Sequence, residues 1–125
     1  MTQLLLHMLG DYVLQSNWMA NGKTKSSLPA FVHAIVYSLP FLLIGSPQAW
    51  SVIFVTHFFI DRFRIARFVV FSKEFISPPS AWPSWEDSKA TGYPSATPAW
   101  LATWLMIICD NFIHLCINAT ALYFL

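Results

Sequence analysis

The chain has 125 residues, of which 56% are hydrophobic and only 10% are charged, and its formal net charge is +1. Soluble domains carry roughly 25% charged residues, so this composition argues against a soluble enzyme. The mean hydropathy of +0.53 indicates a polytopic membrane protein of one domain, residues 1–125. The sequence has no basic stripe of the kind that follows phosphates, and we therefore expect no nucleic-acid partner.

The first apolar segment, residues 2–21, is predicted to be a helix with one polar stripe. Its polar side chains recur at steps of four, at Gln3, His7, Asp11 and Gln15. This spacing places them on one helical face. Neither a basic stretch nor a small-residue cleavage signature precedes them, so we expect no cleaved signal peptide.

The second and third apolar segments, residues 28–45 and 47–72, are also predicted to be helices. Gly45 closes the second segment, and Pro40 in its interior is expected to kink it, because proline removes a backbone hydrogen bond. Pro47 follows Ser46 at the start of the third segment, as the first helical residue after a cap.

Residues 73–97 connect the third segment to the fourth. Four prolines exclude a regular helix from this connection. Tryptophan is enriched at the membrane–water interface, a location that would suit Trp82 and Trp85. We expect a cytoplasmic loop on the membrane surface, which could also contact a membrane-protein partner.

The fourth apolar segment, residues 98–125, begins at Thr97-Pro98 with another cap and proline. Its strongly polar residues share one helical face and are Asp110, Asn111, His114 and Asn118. Cys109 and Cys116 lie two turns apart on the same helix, too far apart to form a disulfide within the chain. We expect both cysteines to be packing groups rather than ligands.

These four segments predict an all-α fold, a bundle of four transmembrane helices. If the helices alternate in direction, all seven lysines and arginines fall on one side of the membrane. The positive-inside tendency then predicts a multi-pass protein of the bacterial inner membrane, with both termini outside the cytoplasm.

Histidine and aspartate recur at a spacing of four in three of the segments. The pairs are His7 with Asp11, His57 with Asp61, and Asp110 with His114. In the predicted orientation each histidine lies one turn outside its aspartate, as a shared site in a bundle requires. A charged side chain at the bilayer centre costs about 2.5–3.5 kcal/mol, and a divalent cation would offset that cost. The predicted metal ligands are His7, Asp11, His33, His57, Asp61, Asp110 and His114.

The ligand types fit Zn²⁺ best, with iron or manganese as alternatives. Seven ligands exceed the needs of one ion, so either two ions share carboxylates or some aspartates orient a histidine. The residues expected to hydrogen-bond around the ligands are Gln15, Tyr37, Asn111 and Asn118. Two alternatives stay open: Asp61 could instead pair with Arg62 and Arg64 in a buried salt bridge, and His33 could be an interfacial histidine.

Four short runs carry a resemblance to a known family. The run His7-Met-Leu-Gly-Asp11-Tyr-Val-Leu-Gln15 closely resembles the opening signature of domain of unknown function 3307, an uncharacterised bacterial and phage inner-membrane family. His33-Ala-Ile-Val, His57-Phe-Phe-Ile-Asp61 and Asp110-Asn-Phe-Ile-His114 resemble its later elements, although that family more often has glutamine at the position of Asn111. A looser similarity exists to membrane-bound metal-dependent hydrolases.

Three functional hypotheses use these residues differently. The first is a metal-dependent hydrolase of a lipid or lipid-linked substrate, in which a carboxylate of Asp11, Asp61 or Asp110 takes a proton from water. The second is a proton or metal-ion transport component, which would need a homo-oligomer to form a path. The third is a non-enzymatic phage or bacterial envelope-interaction protein that acts through residues 73–97.

Overall fold

The computed structural model describes residues 1–125 and contains helices and no strands, so the all-α prediction is confirmed. The α-helices are α1 (Thr2–Met8), α2 (Asn17–Gly22), α3 (Ser27–Ser38), α4 (Pro47–Phe63), α5 (Ile65–Lys73), α6 (Trp85–Ser88) and α7 (Ala99–Phe124). The chain forms two compact units. The first unit contains residues 1–63 and 114–125, and the second contains residues 64–113.

The prediction of one continuous helix over residues 2–21 is wrong. Helix α1 ends at Met8 and continues as a wider π-helical turn at Leu9–Val13, in which the Leu14 N–H donates to the Leu9 carbonyl at 2.9 Å. A new helix, α2, then starts after Ser16, whose side chain accepts a hydrogen bond from the Met19 N–H. Single π turns of this kind are frequent at functional sites.

The π turn brings Gly10 against α3. A Cβ atom at Gly10 would lie 3.0 Å from the Tyr37 Cα and still closer to the Tyr37 ring. Only glycine fits there, because any side chain would meet the backbone of α3 as well as the ring.

The second predicted helix, residues 28–45, changes its geometry at Pro40. Helix α3 ends at Ser38, and Leu39–Leu43 form a tighter 3₁₀ helix. Proline in the interior of an α-helix cannot donate to the carbonyl four residues earlier and clashes with it, which explains the expected disturbance.

The third predicted helix, residues 47–72, is two helices. Ser46 Oγ accepts from the Ala49 N–H at 3.1 Å, as expected of a cap before Pro47. Helix α4 then ends at Phe63 because Arg64 adopts a left-handed conformation with φ of 53°. A non-glycine residue in this region costs about 1–2 kcal/mol and breaks the helix.

The connection at residues 73–97 lacks a long helix, as expected, but contains short helical turns. These are Glu74–Ile76, Pro79–Ala81 and α6. The Trp85 ring stacks on Phe68 with 5.0 Å between centroids, and the Arg67 guanidinium donates to the Lys89 carbonyl at 3.0 Å. Within the second unit, α5 therefore packs against this connection.

Helix α7 is the one helix that is long and apolar enough to cross a membrane. It has 26 residues, and only 17% of its most apolar stretch is buried within the protein. The prediction of four membrane-crossing helices stays a prediction. Cys109 and Cys116 on this helix are both free, as expected.

The apolar core of the first unit contains Tyr37, Phe41, Ala49, Ile53 and Ala121. Ala30 and Ala34 are also fully buried on α3. Small side chains on α3 allow the backbones of neighbouring helices to approach closely. The polar groups described below lie in this tightly packed part of the unit.

We predict that Gly10→Ala lowers the free energy of unfolding by about 1–3 kcal/mol, because the new methyl group overpacks the contact with α3. Unfolding of the detergent-solubilised protein followed by circular dichroism measures this change. Val13→Ala is the control, since Val13 lies in the same π turn but is exposed, and a change within about 0.5 kcal/mol is expected. Equal stability of Gly10→Ala and the wild type would contradict the close approach.

Candidate metal centre

The first unit buries all of the histidines of the chain together with two aspartates. Their relative exposures are at most 2% for the histidines and at most 7% for the aspartates. The six residues are His7, Asp11, His33, His57, Asp61 and His114. Ionisable groups are rarely buried unless they pair with one another or coordinate a metal.

Four of these side chains converge from three different elements. Asp11 lies in the π turn after α1, His33 lies on α3, and His57 and Asp61 lie one turn apart on α4. One ligand atom from each of them lies within 4.8 Å of the others. A buried cluster of this kind could hold a metal ion.

His33 Nε2 occupies the centre of the cluster. It lies 3.1 Å from Asp11 Oδ1, 3.1 Å from Asp61 Oδ2 and 2.9 Å from His57 Nε2. A ring nitrogen carries either one proton or one lone pair, so it cannot form a good hydrogen bond with all of these atoms. A cation bound by these atoms would compensate for the hydrogen bonds that cannot form among them.

His57 contacts its neighbours through both ring nitrogens and through the face of its ring. Its Nε2 lies 3.3 Å from Asp61 Oδ2 and 3.5 Å from Asp11 Oδ1, and its Nδ1 lies 3.2 Å from His114 Nδ1. The Tyr37 ring stacks on the His57 ring at 3.5 Å between centroids and 11° between planes. His114 Nε2 in turn lies 3.2 Å from Asp61 Oδ1.

Tyr37 joins the cluster to a second layer of polar groups. Its hydroxyl lies 2.8 Å from His7 Nδ1 and accepts a hydrogen bond from Asn118 Nδ2 at 2.7 Å. His7 Nδ1 also lies 3.5 Å from Asp11 Oδ2. His7 therefore lies one contact away from the four converging atoms, and Tyr37 and Asn118 hydrogen-bond beside it.

Lys23 also enters the cluster, although the sequence analysis counted it only as a cytoplasmic charge. Its Nζ lies 2.7 Å from Asp61 Oδ2 and 3.3 Å from His33 Nε2. Lys23 follows α2, beyond the π turn and the helix start at Ser16, so no regular helical spacing links it to the polar stripe of the first segment.

The structure supports neither open alternative. His33 is fully buried within the cluster rather than exposed at a surface. Arg62 donates to the Thr24 carbonyl and Arg64 donates to the Ala90 carbonyl, so neither arginine pairs with Asp61.

Three further predicted residues are not among the four converging side chains. Asp110 and Asn111 are half-buried in the second unit, and Asp110 lies one turn before His114 on α7. Gln15 Nε2 donates to the Asp11 backbone carbonyl at 2.9 Å rather than to its carboxylate. The roles of Asp110 and Asn111, and a second metal ion, stay predictions.

A comparison with family models supports the expected resemblance. The model described as "Protein of unknown function (DUF3307)" matches residues 1–78, a range that includes Asp11, His33, His57 and Asp61. No curated protein and no solved structure matches the chain.

We predict that Tyr37→Phe lowers the free energy of unfolding by about 1–3 kcal/mol, because buried groups of His7 and Asn118 lose their common partner while the ring stacking remains. Chemical unfolding in detergent measures this change. Tyr123→Phe is the matched control, because Tyr123 is 79% exposed, and we expect it to change stability by no more than about 0.5 kcal/mol. Equal effects of the two variants would show that the hydroxyl contacts contribute nothing.

Proposed function

Since the chain belongs to the family of proteins of unknown function DUF3307, whose description assigns no activity, we propose a function from the site itself. The protein binds a divalent metal ion, preferably zinc, in its buried His/Asp cluster. It is a candidate metal-dependent hydrolase that acts on a lipid or lipid-linked substrate in the bacterial inner membrane.

The spacing of the four converging atoms carries this proposal. Five of their six separations lie between 2.9 and 3.5 Å. A tetrahedral zinc ion with nitrogen and oxygen ligands at about 2.0–2.1 Å requires ligand atoms about 3.3 Å apart. Manganese favours octahedral sites with more oxygen ligands, so a set of four nitrogen and oxygen atoms suits zinc better.

A hydrolytic centre needs one open position, because catalytic zinc sites use three protein ligands. The Asp11 side chain is 9% exposed and that of Asp61 is 3% exposed, so Asp11 is the carboxylate that water reaches more easily. We therefore assign His33, His57 and Asp61 as the three ligands. Asp11, whose Oδ1 takes the fourth corner in this structure, would leave that position to water and act as the general base.

The proposed reaction is ester hydrolysis. A divalent ion would supply Lewis acidity and make a water molecule more acidic. Asp11 accepts the proton of that water as its oxygen attacks the substrate, and the ester bond breaks. The proton on Asp11 then passes to the leaving oxygen, so that the carboxylate is restored.

The exposed surface of the first unit supports a location in the membrane. Large apolar side chains with high exposure are spread over its helices and turns, among them Leu5, Val13, Leu43, Phe59 and Phe124. Exposed apolar side chains in this number suit contact with lipid rather than with water. We propose a multi-pass arrangement with both termini outside the cytoplasm, in which α7 is one of the spans.

Proton or cation transport is the second candidate function. Titratable groups follow one another at hydrogen-bonding distances from Lys23 through Asp61 and His114 to His57. Chains of this type serve as proton relays in membrane proteins. Proton flux into liposomes without bound metal would favour this candidate over the hydrolase.

We predict that the purified wild-type protein, incubated with zinc and desalted, retains about one zinc ion per chain by mass spectrometry. Mutation of a residue that hydrogen-bonds to a metal ligand typically weakens metal binding by about 10- to 100-fold. Mutation of the ligands themselves, in Asp61→Asn and His33→Ala, should weaken it at least that much. Asp87→Asn is the control, because Asp87 is an exposed carboxylate of the second unit.

Two outcomes would contradict the metal site. One is a wild-type protein that retains no divalent ion. The other is equal loss of zinc from Asp87→Asn and from Asp61→Asn, which would indicate a non-specific effect.

We predict that the zinc-loaded protein hydrolyses a bacterial phospholipid in mixed micelles, and that Asp11→Asn lowers kcat by about 10²- to 10⁴-fold with little change in KM, because the general base is lost. Mass spectrometry of the products measures the rate, and the zinc content of the variant is measured in parallel. Zinc loss from Asp11→Asn would instead make Asp11 a ligand. Absence of product from every bacterial lipid class would contradict the hydrolase.

A further inference from the structure

Lys23 is the most exposed member of the cluster. Its side chain is 19% exposed, while Asp11, the next most exposed member, reaches 9%. Lys23 lies in the turn between α2 and α3, and its ammonium extends from there to Asp61. Lys23 therefore lies at the most exposed end of the cluster.

Two further cations lie near Lys23. Lys25 is exposed in the same turn. The Arg62 guanidinium donates to the Thr24 carbonyl at 3.2 Å and to Ser27 Oγ at 3.4 Å, so it is tied to the turn from the end of α4. Three cations thus lie at this end of the cluster, whereas Asp11 and Asp61 are buried.

The charge balance of the cluster changes when a divalent ion binds. With neutral imidazoles, the carboxylates of Asp11 and Asp61 exceed the ammonium of Lys23 by a single negative charge. A bound divalent ion would reverse this to a single positive charge and would weaken the ion pair of Lys23 with Asp61 Oδ2, which is 2.7 Å from Nζ. The Lys23 ammonium could then contact an anion in addition to its partners within the cluster.

We propose that Lys23 is a substrate-binding residue that recognises a phosphate group, with Lys25 and Arg62 beside it. The proposal rests on the metal site proposed above. Phosphate suits the site because its several oxygens can contact a lysine ammonium and a metal ion at the same time, and lysine is a common phosphate ligand. The phosphate belongs either to a lipid headgroup or to a soluble molecule.

The test uses the full-length, zinc-loaded protein in detergent and measures binding by calorimetry. The probes are inorganic phosphate and micelles that contain either phosphatidylglycerol or diacylglycerol, which lacks the phosphate. Lys23→Met should retain zinc but bind the phosphate probe about 10- to 100-fold more weakly, as expected for loss of one hydrogen bond to a charged group. Lys23→Arg should restore most of the binding.

Lys89→Met is the matched control, because Lys89 is an exposed lysine of the second unit that pairs with Glu86. Weaker binding of phosphatidylglycerol alone supports a lipid substrate, and weaker binding of inorganic phosphate alone supports a soluble one. Equal phosphate binding by zinc-loaded Lys23→Met and wild type would overturn the proposal and leave the metal site intact. Loss of zinc from Lys23→Met would also overturn it, because Lys23 would then support the ligands.

Discussion

The pairing of Asp11 and Asp61 with buried imidazoles is the constraint on which the first unit depends. An ionised carboxylate is costly to bury, and it persists only when opposite charges and hydrogen-bond donors surround it. Here those partners come from α1, α3, α4, α7 and the turn at Lys23. Each helix must therefore keep its rotation and height, because a shift of one helix would leave a charge without its partner.

One irregular feature of the backbone, the π turn after α1, contributes to this cluster. The π turn at Leu9–Val13 contains both Asp11 and Gly10, so the same widening places a ligand candidate and allows α3 to approach. Tyr37 is the residue of α3 that lies against Gly10, and its ring stacks on His57. Irregular helical turns are tolerated when the contacts that they allow offset the lost regular hydrogen bonding.

The proposed function and the proposed role of Lys23 follow from one distribution of charge. Acidic and imidazole groups are gathered inside the unit, Lys23 lies at the most exposed end of the cluster, and many large apolar side chains are exposed on the rest of the surface. Such an arrangement is suited to a cation held inside and an anionic group bound beside Lys23.

Much of the site could be predicted from the sequence because a helix fixes which residues share a face. The steps of four in His7-x-x-x-Asp11 and His57-x-x-x-Asp61 identified paired polar groups before any fold was known. The all-α class, the cap at Ser46 and the disturbance at Pro40 follow from similarly local rules. All of these depend on residues that are near one another along the chain.

Other features were decided only by the tertiary structure. The central place of His33 and the entry of Lys23 depend on how α3 and the turn before it pack against α4, which no local spacing encodes. The π turn and the break at Arg64 were also missed, because each departs from regular helix where packing outweighs local preference. The sequence by itself determined which chemical groups share a helical face, and the packing of helices from distant parts of the chain decided which of them meet.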